Sequence, residues 1–186
     1  YSLKYPQSTD VALSSAVVLP VDKGYASPLA SDSDFGTRTC SGCSTWHKGI
    51  DLQMAFGSPV YAVADGTVTE SGIGGAGGAG VQCSPQSGSN NTVTIKLNNG
   101  VFVKYLHMGG QDITVNVGDK VTAGQLIGKV NTCGQSNGHH LHFEVKLDKS
   151  EEGIANTDAS VLALPKDPDE EYVNPVEWFK LYGVEI

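Results

Sequence analysis

From Val60 onward the chain is a succession of short β-rich runs broken by glycine, and no feature of the sequence constrains the fold more. The runs are Val60 to Ala64, Thr67 to Glu70, Thr92 to Leu97, Val101 to Leu106, Leu126 to Val130 and Leu141 to Leu147. They are rich in the branched and aromatic residues that suit a pleated surface. Thr92 to Leu97 alternates polar and apolar residues, and Asn99-Gly100 follows at once, the pair best suited to positive φ in a tight hairpin turn. The fold class expected is mainly β, with antiparallel strands. One helix is well signalled, at the end: Asn174 as N-cap, Pro175 in the first turn, Val176 to Tyr182, and a stop at Gly183. Trp178 and Leu181 are expected to pack it onto the sheet.

At 186 residues the chain accommodates one packed domain with a tail. Residues 1–18 mix Ser, Thr and Asp with a single apolar patch and are expected to form a linker or N-terminal extension, leaving 19–186 as the domain. The chain opens on Tyr1, with no basic start followed by a long apolar run, as expected of a trimmed chain whose signal peptide or anchor lies outside this sequence. Ile73 to Gly80 is glycine-rich and runs into a polar stretch ending near Asn91, which reads as a mobile loop. A phosphate cradle would need Lys-Ser or Lys-Thr after the glycines and a helix to follow, and neither is present. The stretch 148–172 carries Asp167, Asp169, Glu170 and Glu171, with Pro165 and Pro168 breaking any helix. It reads as a solvated acidic insertion rather than a calcium loop.

The formal net charge is -8 and no Lys/Arg cluster is present, so the footprint for a nucleic-acid backbone is missing. No apolar run approaches the roughly 20 residues that a membrane-spanning helix requires. The 4 cysteines, Cys40, Cys43, Cys83 and Cys133, fit two disulfides made in an oxidising compartment. Sequence alone leaves three connectivities open. The pairing expected joins Cys83 to Cys133, tying the loop after the glycine-rich stretch to the one leading into His140, and Cys40 to Cys43 in a small ring. The rival, a four-cysteine zinc site, wants two close Cys pairs, and only Cys40 and Cys43 are close.

All 5 histidines fall in three places: His47 in Trp46-His47-Lys48-Gly49-Ile50-Asp51, His107 after Tyr105-Leu106, and His139, His140 and His142. Alternate residues of a strand share a face, so His140 and His142 project together, with Cα atoms about 6.5 Å apart. Leu141, Phe143 and Val145 then face a core behind. His47 and Asp51 would stand about 13 Å apart on a straight strand, so a bend at Gly49 must bring them together. Two imidazoles and a carboxylate make a zinc set with a fourth position left for water, whose pKa zinc lowers to about 7. No His-Glu-x-x-His helix supplies a glutamate base, which leaves His107 and His140 to handle protons and oxyanion charge. A lone histidine is more often structural than catalytic; clustering argues otherwise here. His139 points away from the face of His140 and receives no role.

At these residues the chain resembles the lysostaphin-type, LytM-like or β-lytic zinc endopeptidases of bacterial peptidoglycan. The resemblance runs from about Leu19 to Trp178. It takes in Asp34-Phe35-Gly36-Thr37-Arg38, His47 to Asp51, Val60 to Gly66, Tyr105-Leu106-His107, Val117-Gly118-Asp119 with Gly124-Gln125, and Gly138 to Glu144. It implies a barrel-like antiparallel domain of the duplicated hybrid motif type with an open groove. It further implies one zinc ion per chain held by His47, Asp51 and His142, with His107 and His140 as the catalytic pair. Spacing alone does not tell His140 from His142. Peptidoglycan peptides are the implied partner, and an extracytoplasmic location follows: secreted, wall-associated, periplasmic or phage-borne. One departure is His139, which stands where relatives commonly carry proline before His-x-His.

Two other classes compete. Ala64-Asp65-Gly66-Thr67-Val68 and Val117-Gly118-Asp119 through Gly128 resemble hairpins of biotinyl or lipoyl carriers, but no lysine occupies the required hairpin tip. The other keeps fold and zinc but acts as a non-hydrolytic wall-binding or partner-binding regulator.

Overall fold

A computed structural model describes residues 16–27, 29, 31–77, 79–84, 91–136 and 138–186. The elements in chain order are β1 (Gly36–Thr37), β2 (Trp46–His47), β3 (Ile50–Gln53), β4 (Pro59–Tyr61), β5 (Gly66–Ser71), β6 (Val93–Leu97), β7 (Val101–Leu106), β8 (Lys120–Val121), β9 (Leu126–Lys129), β10 (His140–Leu147), α1 (Glu151–Asn156), α2 (Ala159–Leu162), β11 (Tyr172–Val173) and α3 (Pro175–Leu181). Among the described residues, 7 strands form one antiparallel sheet in the order β11-β10-β7-β6-β5-β8, with β3 also paired to β10. Two strand pairs, β1-β2 and β4-β9, complete the β structure, and the main sheet does not close on itself. Most of the linker expected over 1–18 lies outside the described residues; Val18 N–H already donates to Val63 O at 2.8 Å.

The arrangement around β10 positions the site. One edge of this strand pairs with β7 along His142 to Leu147. Its other edge is shared, with β3 beside His140 to Phe143 and β11 beside Val145 and Lys146. Leu141, Phe143 and Val145 are fully buried on the face opposite His140 and His142, as the alternation requires. They meet Ile50 and Leu52 of β3, Val103 and Tyr105 of β7, and Trp178 and Phe179 of α3 in one core. Burying side chains of this size stabilises the fold by roughly 1.5–3 kcal/mol each, so the sheet behind the histidines is firmly packed.

Three expectations need revision. Asn174 caps α3 through its side chain, Trp178 is buried and Gly183 has φ 72°, all as read from the sequence. Leu181, however, is 41% exposed, and Phe179 takes the inner position, 5.4 Å from the ring of Phe143. The acidic stretch is not free of helix: α1 and α2 both end before Pro165, and Ser150 caps α1 by accepting from Gly153 N–H at 3.0 Å. Asp167 within it is buried, its Oδ1 accepting from the N–H groups of Glu171 and Tyr172 as the chain turns into β11. The described part of the glycine-rich loop is stapled down: Gly74 N–H donates to Gly110 O at 2.8 Å, and Gly110 N–H to Ala76 O at 3.2 Å. Its remainder, residues 78 and 85–90, lies outside the described residues. All four cysteines are paired, Cys40 with Cys43 and Cys83 with Cys133.

Candidate active site

His142 of β10 and Asp51 of β3 are cross-strand partners, and the bend at Lys48 and Gly49 returns the chain so that His47 of β2 faces them. Gly49 lies against β10 so closely that a Cβ there would collide with Phe143 O and sit 3.0 Å from His142 Nε2. The donor atoms of His47, Asp51 and His142 all fall within 4.8 Å of one another, and all three residues are buried.

Each ring has its outward nitrogen fixed by an acceptor. The Nδ1 of His47 lies 2.7 Å from Asp34 O, and a carbonyl can only accept, so Nδ1 carries the hydrogen and Nε2 a bare lone pair. His142 is turned the other way, its Nε2 donating to Glu144 Oε1 at 2.9 Å, which leaves Nδ1 toward the centre. Asp51 has Oδ2 bound by Arg38 Nη2 at 2.9 Å and presents Oδ1. The three presented atoms are 3.0 Å (His47 Nε2 to His142 Nδ1), 2.8 Å (His142 Nδ1 to Asp51 Oδ1) and 3.2 Å (His47 Nε2 to Asp51 Oδ1) apart. Zinc bonds of about 2.0–2.2 Å at tetrahedral angles separate ligand atoms by about 3.3–3.5 Å, so the cradle suits that ion after a small expansion.

Electrostatics agree. Burial alone would raise Asp51, yet His142 and His47 outweigh it and hold the carboxyl far below the usual range. Burial would likewise lower His142, but hydrogen bonds to Asp51 and Glu144 lift it to about 9. A proton or a divalent cation is therefore drawn to the same position between these groups, and the two compete for it.

His107 and His140 stand beside the cradle, their ring centroids 4.9 Å apart. His107 follows β7 with φ 68°, a left-handed conformation uncommon outside glycine, and its Nδ1 donates to Cys133 O at 2.6 Å. His140 donates from Nδ1 to Gly138 O at 3.0 Å, and its Nε2 lies 3.5 Å from Asp51 Oδ1. Burial and the neighbouring His140 lower His107 to about 4, partly offset by the Cys133 carbonyl; burial also lowers His140, against the pull of Asp51. Both rings are neutral near pH 7 and can accept a proton. The five residues share an open cleft of about 620 Å³, walled by Trp46, the Cys40–Cys43 bridge, Lys48, Leu106 and Gln135. His139 lies elsewhere, in a separate hollow with Lys23 and Met54.

Sequence reasoning gave no role to Arg38 or Glu144. Glu144 stands two residues after His142 on the same strand face, so its signal was present. Arg38 is 13 residues from Asp51 and reaches it only because the β1-β2 hairpin folds back, which no local spacing announces.

A buried triad of nitrogen and oxygen donors, flanked by neutral imidazoles on an antiparallel scaffold, is a cradle able to hold a metal ion beside two proton acceptors. The chain belongs to Peptidase family M23, whose profile matches residues 45–153, more than half of the sequence. It is 36% identical over 99 residues to the glycyl-glycine endopeptidase ALE-1 of Staphylococcus capitis, an overlap of 53% of this chain and 24% of that protein. Its structure is similar to the catalytic domain of the antimicrobial peptidase lysostaphin from Staphylococcus simulans, with TM-score 0.55 and 26% identity over 79% of this chain and 89% of that one. A zinc containing peptidase from Vibrio cholerae aligns with TM-score 0.50 and 30% identity over 68% of this chain and 35% of that one. The chain spans 24% of the length of the first curated relatives it matches. No helix among the described residues is long and apolar enough to cross a membrane.

Proposed function

We propose that this chain is a zinc-dependent endopeptidase that cleaves peptide bonds of bacterial peptidoglycan, in stem or cross-bridge, outside the cytoplasm. The observation that carries the reading is the convergence of His47 Nε2, Asp51 Oδ1 and His142 Nδ1, each turned inward by a partner on its far side. Membership of Peptidase family M23 supports it, as do the relatives named as a glycyl-glycine endopeptidase and as a zinc containing peptidase. The two disulfides fit an oxidising compartment.

His47, Asp51 and His142 would hold one zinc ion per chain. When bound, the ion polarises the scissile carbonyl and lowers the pKa of water to about 7. The remaining work belongs to the protein. His140 and His107 present neutral Nε2 atoms to the cleft, and one of them takes up the proton of the attacking water. The protonated ring is then a donor, able to stabilise the oxyanion of the tetrahedral intermediate and to return that same proton to the leaving amine. Arg38 orients Asp51 by holding Oδ2, so that Oδ1 alone faces the position the metal would take. Glu144 holds the ring of His142 and raises its basicity as a ligand.

The test is elemental analysis of protein prepared without chelators, together with mass spectrometry of peptides released from purified peptidoglycan. One zinc per chain and release of peptides with new amino termini is the expected result. The masses also tell glycyl-glycine cleavage from D-alanyl cross-link cleavage. A folded, zinc-loaded chain that leaves peptidoglycan intact would move the assignment to a wall-binding or partner-binding protein.

A further inference from the structure

The carbonyl that fixes His107 belongs to a half-cystine. Cys133 O accepts from His107 Nδ1, and Cys133 Sγ is bonded to Cys83, across 50 residues of sequence. Residues 131–133 are not part of any strand of the sheet. Their polar anchors lie on the segment that Cys83 terminates: Asn131 Oδ1 accepts from Cys83 N–H at 2.9 Å, Asn131 Nδ2 donates to Val81 O at 3.1 Å, and Thr132 Oγ1 donates to Cys83 O at 2.6 Å. The bridge is buried, with Cys83 6% and Cys133 0% exposed. The glycine-rich loop closes over it at Gly77, where a side chain would collide with Cys83 Sγ.

We infer that the Cys83–Cys133 disulfide is a positioning element for His107: it locks the carbonyl that keeps the proton of that ring on Nδ1 and the accepting nitrogen toward the cleft. The inference rests on the role given to His107 above, and the reasoning is geometric. His107 sits past the end of β7 in a left-handed conformation, so no strand ladder orients its ring. Three hydrogen bonds hold 131–133 to 81–83, and all three depend on the two segments staying in contact. The covalent bridge is the link among them that water cannot replace. If Cys133 O recedes, the neutral imidazole is free to carry its proton on Nε2 instead, which turns the cleft-facing atom from acceptor to donor. The ring would remain in place with the wrong tautomer. Cys83 and Cys133 thus act through His107 and touch no reacting atom.

Two readouts test this. The first is the imidazole ¹⁵N–¹H correlation spectrum of metal-free protein, which reports the nitrogen that carries the proton without needing activity. The second is kcat and KM on soluble cross-linked muropeptides, with zinc content measured in the same preparations. Cys83→Ala/Cys133→Ala is compared with wild type and with Cys40→Ala/Cys43→Ala, which removes the other bridge. In the first variant His107 is expected to exchange between tautomers, with kcat reduced about 10- to 100-fold, the scale on which outer hydrogen-bond partners of site histidines act. KM and zinc content should stay near wild type, and the second variant should keep the Nδ1–H signal. A His107 that retains Nδ1–H in the absence of the bridge overturns the inference. So does a variant with full kcat, or one whose KM rises or whose zinc content falls by as large a factor as its kcat falls. If the variant does not fold, reduction of the metal-free wild type in the spectrometer gives the same reading, with the Trp178 indole signal as the internal marker of an intact core. An unchanged His107 signal after the bridge is cut also overturns it. Full activity of His107→Ala would instead remove the role of His107 itself, whatever the tautomer shows.

Discussion

The two halves of the site are built by different means. His47, Asp51 and His142 sit on strands, and Asp51 and His142 are direct partners in the β3-β10 ladder. Their spacing follows from register, with a fully buried sheet face behind it. His107 and His140 stand at strand ends, one just after β7 and one opening β10, and take their orientation from the carbonyls of Cys133 and Gly138 in loops. A ladder sets where a Cα is; a ring also needs a partner that chooses its rotamer and tautomer. The first half should therefore fail by losing metal, and the second by losing rate.

The largest effect separates them outright. Asp51→Ala and His142→Ala should each abolish zinc retention and peptidoglycan cleavage together while the β core still gives a cooperative unfolding transition. Full zinc occupancy in both variants, read by elemental analysis, would dismantle the ligand assignment. Next come His107→Ala and His140→Ala, expected to keep zinc and fold and to lose about 10² to 10⁴ in rate. Near-normal cleavage by either takes that residue out of the mechanism. Zinc lost from His140→Ala but kept in His142→Ala would exchange the two roles.

Smaller changes sharpen the contrast. Glu144→Gln and Arg38→Met leave every ligand atom in place but weaken what orients it, so zinc affinity should fall about 10- to 100-fold in a competition titration with a chelating dye. Unchanged affinity would mean that the ladder alone suffices. The least effect is expected from the short bridge. Loop-closure entropy assigns about 4 kcal/mol to the Cys83–Cys133 ring of sequence separation 50 and about 2 kcal/mol to the Cys40–Cys43 ring of separation 3. Denaturant unfolding of the two double Cys→Ser variants checks that order. An equal or reversed loss would show that local packing, rather than closure, dominates.

What the sequence made legible follows the same division. His140 and His142 on one face, Leu141, Phe143 and Val145 on the other, the bend at Gly49, the turn at Asn99-Gly100 and the capped last helix all rest on local periodicity or turn chemistry, and each is found in the structure, although in that turn Gly100 has positive φ and Asn99 does not. The outward orientation of Leu181 was missed because a helix of one or two turns offers few positions from which to judge its buried face. The first turn of α1 was legible in Ser150-Glu151-Glu152, a cap followed by two acids, but the later prolines obscured it. Arg38 and the carbonyls of Asp34, Cys133 and Gly138 were beyond reach, since their partners meet only after distant segments fold together. A backbone oxygen carries no residue signature at all.

Gly49 contributes no donor atom, yet it sets the bite of the metal cradle. The strand that carries Asp51 approaches β10 until Gly49 meets the backbone of Phe143, and a methyl group there would press on Glu144 Cγ and His142 Nε2, each 3.0 Å away. The gap between carboxylate and imidazole is thus gauged by a hydrogen atom. In a saturation scan read out by zinc retention, position 49 should tolerate as little as a ligand does, with alanine already widening the bite and larger residues prying β3 from β10. A screen for intact sites among related sequences would do well to count this glycine with the two histidines and the aspartate, although no chemistry passes through it.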